Sequence, residues 1–249
     1  MPGALLHVGM HKTGSTSIQR FLRDHVGDLL ASVGATLPPG FLIPDLHSDL
    51  PLLVLRPDRT WPARLRFPET QDPGWQAAAR AHVHAAVAGA PTSRVVWSHE
   101  DLAYVRYDDE LDRLRDLVGT SVQVVVYRRD PTDFLRSYRE QLEATGFELS
   151  DDPRSFAYVQ AGSWVADDAT LVATYQRGFG PDAVTVIDYD EVVGRDGSVI
   201  PSFTDLLGLP RASLPDLDPY FLNRAGGQLR VTDEHLAAIR RRAVEQSGR

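Results

Sequence analysis

Lys12 is the only lysine in the 249 residues, and it falls in the string His11-Lys-Thr-Gly-Ser-Thr-Ser17. That string follows a short apolar run, residues 4–10, and opens a stretch with helical character. A strand-loop-helix unit aims several backbone N–H groups and the positive end of the helix dipole at one point, which makes an anion site. Gly14 lets the backbone turn tightly and approach a phosphate. Ser15, Thr16 and Ser17 add hydroxyl donors, and Lys12 adds a cation able to follow charge onto a leaving oxygen.

The loop is not a Walker A motif. That motif places its lysine directly after the second glycine and a Mg²⁺-binding Ser/Thr after the lysine, whereas Lys12 precedes Gly14. A P-loop kinase is the rival this order disfavours. A non-catalytic nucleotide-binding protein of the same fold remains an alternative.

Lys-x-Gly-x-Thr at the end of a first strand resembles the 5′-phosphosulfate loop of sulfotransferases that use 3′-phosphoadenylyl sulfate (PAPS). The wider string resembles the form found in bacterial members. The resemblance implies a PAPS donor, 3′-phosphoadenosine 5′-phosphate (PAP) as product, and binding of the donor by His11, Lys12, Thr13, Gly14, Ser15, Thr16 and Ser17. It also implies a second motif, an arginine at a strand end and a serine eight residues later, that holds the 3′-phosphate. Val124-Val-Val-Tyr-Arg-Arg-Asp-Pro-Thr-Asp-Phe-Leu-Arg-Ser137 carries Arg129 and Ser137 at that spacing. Arg129 offers a planar fork to a phosphate, Ser137 lies about two helical turns on, and Arg128 is the alternative ligand. Pro131 suits the first position of a helix. Weaker matches are Tyr189, as an adenine contact, and Arg224, in a late glycine-containing loop. Many relatives carry an adenine-stacking aromatic where this chain has Ser17; Trp164 or Phe134 are the candidates to replace it.

The acceptor's proton needs a base. Ser98-His-Glu-Asp101 follows another strand-like run and puts titratable groups at a sheet edge, where ligands bind in open α/β folds. His99 and Glu100 are both candidates; Ser-x-Glu resembles the bacterial pattern and favours Glu100. Transfer of this kind needs no metal when Lys, Arg and N–H groups hold the phosphates, and no metal is expected. His82 and His84 have a spacing that places them on different faces of a helix.

The elements that must position these residues are legible as alternating runs. Residues 4–10, 93–98, 121–127 and 183–188 are short, apolar and β-branched, and continuous apolar runs suit strands buried on both faces of a parallel sheet. Helices are predicted over 15–32, 74–88, 109–117, 131–145, 163–178 and 232–246. The expectation is an α/β three-layer sandwich with a central, mostly parallel sheet, forming a single domain over 1–249. Residues 38–73, rich in Pro, Asp, Arg and Leu, read as an irregular insertion or lid whose Trp61 and Phe67 face the acceptor. The net charge of −8 disfavours nucleic acid as a partner. There is no cysteine, and no signal peptide or membrane span is visible, so a cytoplasmic protein acting on a small-molecule or carbohydrate acceptor is expected. Assembly into a homo-oligomer is left open.

Overall fold

The computed structural model describes residues 3–92, 94–220 and 233–247. Strand β1 (Gly3–His7) lies at the centre of a five-stranded, all-parallel sheet. Helix α1 (Ser15–Asp24) follows it, then the two-residue edge strand β2 (Ala35–Thr36). Two short helices, α2 (Asp49–Val54) and α3 (Pro62–Arg66), and the longer α4 (Pro73–Ala88) lead to β3 (Arg94–Ser98). Helix α5 (Asp108–Val118) precedes β4 (Val122–Arg128), and α6 (Pro131–Ala144) and α7 (Asp168–Phe179) precede β5 (Val184–Asp188). The chain continues with α8 (Tyr189–Asp196), α9 (Ile200–Leu207) and α10 (Asp233–Ser247).

The strand order is β2-β3-β1-β4-β5. The chain leaves β1 toward β2 and β3, then crosses to β4 and β5. The reversal lies at β1, so its carboxyl end, flanked by those of β3 and β4, is where an open α/β sheet binds ligands. The continuous apolar runs have the expected cause. Alternate residues feed opposite layers: Ala4, Leu6, Val95, Trp97, Val124 and Val126 join one core, while Leu5, Val96, Val125 and Tyr127 join the other. Helix α1 covers the second face with Ile18 and Leu22, helped by Phe203 of α9. The first face is covered by α4, α5, α6 and α7, with α10 packed on α4.

Three expectations change. The helix foreseen over 15–32 is regular only to Asp24; Val26–Leu30 forms a wider π-type turn, where Val26 and Gly27 are both poor helix formers. The sequence reading contained neither β2 nor α2, α3, α8 and α9, all short. Residues 38–73 pack chiefly as core rather than as a lid. Leu50, Leu52, Leu53 and Val54 are buried, and Trp61 and Phe67 are only 2% and 5% exposed, so neither aromatic faces an acceptor. No helix among the described residues is long and apolar enough to cross a membrane.

Candidate active site

The first-strand loop is built to leave donors unused. Lys12 and Gly14 both adopt left-handed backbone, φ 60° and 82°, and such alternation curls successive N–H groups into an anion-binding nest. Among the described residues, no backbone N–H from His11 through Ser17 has a hydrogen-bond partner; the first to find one is that of Ile18, on the Gly14 carbonyl at 3.1 Å. Gly14 caps α1 with no side chain covering the helix end. A Cβ on Gly14 would lie 2.7 Å from Val199 Cγ2, and one on Gly9 would press on Glu100, so both glycines are fixed by close approach. The Thr13 hydroxyl is committed to the Met10 carbonyl at 2.6 Å; Thr13 can therefore meet an anion only through its backbone N–H.

Lys12 makes no ion pair among the described residues. Burial pulls its ammonium below the usual lysine value, and Arg129 adds to that pull against the carboxylates of Glu140 and Glu100. Arg129 reaches over the loop. Its Nη1 donates to the Lys12 carbonyl and to Ser137 Oγ, both at 3.2 Å, while its buried Nε makes no hydrogen bond and stands 3.9 Å from Asp190 Oδ1. The guanidinium also lies 5.1 Å from the centroid of the Tyr189 ring. Arg128 turns the other way and pairs with Asp188 at 3.5 Å on the exposed sheet edge. Strand alternation separates the two arginines, and Arg129 is the one brought to the loop.

At the end of β3 the cluster is denser. His99 is 8% exposed and Asp101 6%. His99 Nδ1 accepts the Asp101 N–H at 3.1 Å. A neutral His99 so held carries its proton on Nε2, which makes its outward nitrogen a donor. Glu100 Oε2 accepts from the Gln19 amide at 3.0 Å. Burial pushes the Glu100 carboxyl upward, but the His99 and His11 imidazoles, a backbone N–H and the Gln19 amide outweigh it and hold it below its ordinary value. His11 Nε2 stands 3.5 Å from Asp101 Oδ1, its ring against those of Tyr104 and Tyr138. Burial lowers the His11 imidazole more than Asp101 raises it. His11 packs as a loop anchor, with Tyr104 and Tyr138 sharing a hydroxyl hydrogen bond of 2.7 Å beside it.

The structure thus brings Lys12, the open N–H groups, Arg129, Ser137, Tyr189, His99 and Glu100 to one sheet edge. Arg224 lies outside the described residues. Phe134 is fully buried in the larger core, and Trp164 packs on Tyr104 with its indole N–H on the Ser155 carbonyl. Tyr189 is the aromatic that stands beside Arg129. The sequence reading missed Gln19 and gave Asp101 no role of its own. Gln19 shares a helix face with Thr16, three residues earlier, a spacing that could have pointed to it. Among the described residues no three metal-ligating side chains converge.

No family model and no curated protein matches the chain. Solved structures do. A sulfotransferase from Alicyclobacillus acidocaldarius is 20% identical, with a TM-score of 0.54 over 99% of this chain and 94% of that one. A sulfotransferase domain from the curacin biosynthetic pathway is 17% identical, with a TM-score of 0.46 over 96% of this chain and 83% of that one. The first likeness shows what the strand order and layers describe: this chain has the fold of a sulfotransferase.

Proposed function

We propose that this chain is a sulfotransferase that moves a sulfuryl group from PAPS to a hydroxyl of a small-molecule, carbohydrate or natural-product acceptor. The observation that carries the reading is the convergence of an unpaired Lys12, the Arg129–Ser137 pair and a run of unpartnered N–H groups on one edge of the sheet. These groups fit a donor with phosphate at both ends. The donor supplies an activated sulfuryl group. The loop N–H groups hold its 5′-phosphosulfate, and the Lys12 ammonium neutralises charge on the oxygen that leaves. Arg129 offers its fork, whose Nε makes no hydrogen bond, to the 3′-phosphate beside Ser137. Tyr189 lies under the adenine. Glu100 removes the acceptor's proton, because the other nitrogen of His99 is a donor in the neutral ring. His99 then orients the acceptor or an equatorial oxygen.

A calorimetric titration tests the reading. Binding of PAP at micromolar concentrations without Mg²⁺ supports it, and preference for ATP with Mg²⁺ overturns it. In the Lys12→Ala variant, turnover falls roughly 10²–10³-fold while the melting temperature is unchanged, since Lys12 makes no ion pair among the described residues that the fold would lose.

A further inference from the structure

Lys12 carries the only side-chain amine of the chain. Among the described residues that amine makes neither a hydrogen bond nor an ion pair. Its backbone, by contrast, is held. The Lys12 carbonyl accepts from Arg129 Nη1 at 3.2 Å, and the next residue is tied by the Thr13 hydroxyl to the Met10 carbonyl at 2.6 Å. The side chain therefore leaves a fixed point within the run of open N–H groups from His11 through Ser17. Lys12 is half-buried, so a small solute can reach it. Burial lowers its ammonium from the usual lysine value, against the pull of Glu140 and with that of Arg129. An amine desolvated beside another cation is a better nucleophile at neutral pH than an ordinary lysine. Sulfuryl transfer uses Lys12 only as a cation, so its nucleophilic form has no part in that reaction.

We infer that Lys12 is an acylation site for small acyl phosphates, with the loop N–H groups seating the donor's phosphate. The inference rests on the phosphate-binding part of the sulfotransferase reading and adds a covalent switch at the same site. The Lys12 nitrogen attacks the acyl carbonyl carbon. The C–N bond forms, the C–O bond to the phosphate breaks, and the electron pair leaves on a phosphate oxygen held by the N–H groups. The amine's proton goes to solvent. The products are a neutral amide and free phosphate. A simple ester or thioester offers the loop no anion next to its reacting carbon, so the loop favours the acyl phosphate. The consequence follows from charge. An amide at Lys12 no longer neutralises the oxygen that leaves in sulfuryl transfer, so acylated chains are inactive. The two donors compete for the same N–H groups, so the switch closes only on chains without bound sulfuryl donor.

The test uses the full chain with acetyl phosphate, and with p-nitrophenyl acetate as an acyl donor that lacks phosphate. Mass spectrometry after digestion compares acetylation at Lys12 with that at the chain's α-amino group, and calorimetry measures PAP binding in parallel. With acetyl phosphate, Lys12 should react about tenfold faster than the α-amino group or more; with p-nitrophenyl acetate that preference should shrink. The adduct should survive hydroxylamine, as an amide does and an ester on Ser15, Thr16 or Ser17 would not. Saturating PAP or inorganic phosphate should suppress it. The acylation inference is overturned if Lys12 reacts no faster than the α-amino group, if both donors show the same preference, if the adduct is lost to hydroxylamine, or if bound PAP leaves the rate unchanged; PAP binding in calorimetry then leaves the sulfotransferase reading standing. If PAP does not bind, that reading falls, and suppression by inorganic phosphate alone decides the acylation site: present, it upholds the site, and absent, it removes it.

Discussion

The loop after β1 and the segment from residue 38 to 73 are both irregular in sequence, and they treat their polar groups in opposite ways. In the segment, charge is consumed by structure. Asp49 accepts the N–H groups of Phe41 and Leu42 at 2.7 and 2.8 Å. Arg59 donates to Glu110 at 2.9 Å, and Arg64 spends its nitrogens on backbone carbonyls, including those of Leu55 and Arg59 at 3.1 Å. Isolated buried atoms lack a hydrogen bond there, such as Trp61 Nε1 and Arg64 Nε, and the Arg64 guanidinium stacks 3.9 Å over the Trp61 ring. In the loop the open donors are consecutive, and among the described residues neither they nor the Lys12 ammonium has a partner. Leaving buried donors open costs free energy, so a run of them in one nest marks a ligand site, while a closed network marks a strut.

The sharpest way to break that comparison is to remove a strut. Glu110 is fully buried and accepts from Arg59, from the Arg56 N–H at 3.0 Å and from the Arg106 N–H at 2.9 Å. Glu110→Ala leaves an arginine and three N–H groups, the third that of Tyr107 at 3.3 Å, without their carboxylate, and about 3–5 kcal/mol of stability is expected to be lost. Chemical denaturation measures it. PAP affinity in the folded fraction should not change; if it falls while stability holds, the segment is part of the site and the distinction fails.

The next effect tests the site's own charge. Glu100→Gln should lower turnover roughly 10²–10⁴-fold with PAP affinity intact. The pH profile carries a sign. Glu100 titrates below the ordinary carboxylate range, so the reactive carboxylate is present above that low value and is lost only as pH falls through it. Activity should then hold across neutral pH and decline only in acid. A decline already between about pH 7 and 6 would belong to an imidazole and not to Glu100.

How much of this was legible follows the same division. The strands of the sheet are written as continuous apolar runs, because both faces of β1, β3 and β4 are buried. The nest is written only in Gly14, a residue type that suits left-handed backbone; nothing in the type of Lys12 announces its φ of 60°. The fold of residues 38–73 was not legible. Its helices are too short to show a period, and its order comes from long-range pairings, such as Arg59 with Glu110, that no local spacing reveals. Gln19 was hidden for the same reason: its partner Glu100 is 81 positions away. The choice between His99 and Glu100 needed the hydrogen bond into His99 Nδ1, which sequence does not carry.

The smallest effect is the most discriminating, because it compares neighbours. Arg128 and Arg129 differ by one position, share a residue type and leave the same strand end. Strand alternation sends Arg128 to Asp188 in solvent, 54% exposed, and Arg129 to the loop and Ser137 at 19%. An exposed pair of this kind contributes about 1 kcal/mol or less, whereas a half-buried guanidinium holding phosphate contributes roughly 2–3 kcal/mol. Arg129→Ala should therefore weaken PAP in calorimetry by that larger amount, and Arg128→Ala should barely change it. A 3′-dephosphorylated analogue sharpens the contrast. It lacks the group assigned to Arg129, so Arg129→Ala should cost little of its affinity. If both variants lose the same affinity for PAP, the two arginines act as a diffuse positive edge and not as one ligand and one bystander; if the analogue is weakened as much as PAP, Arg129 supports the loop through the Lys12 carbonyl instead of binding the 3′-phosphate.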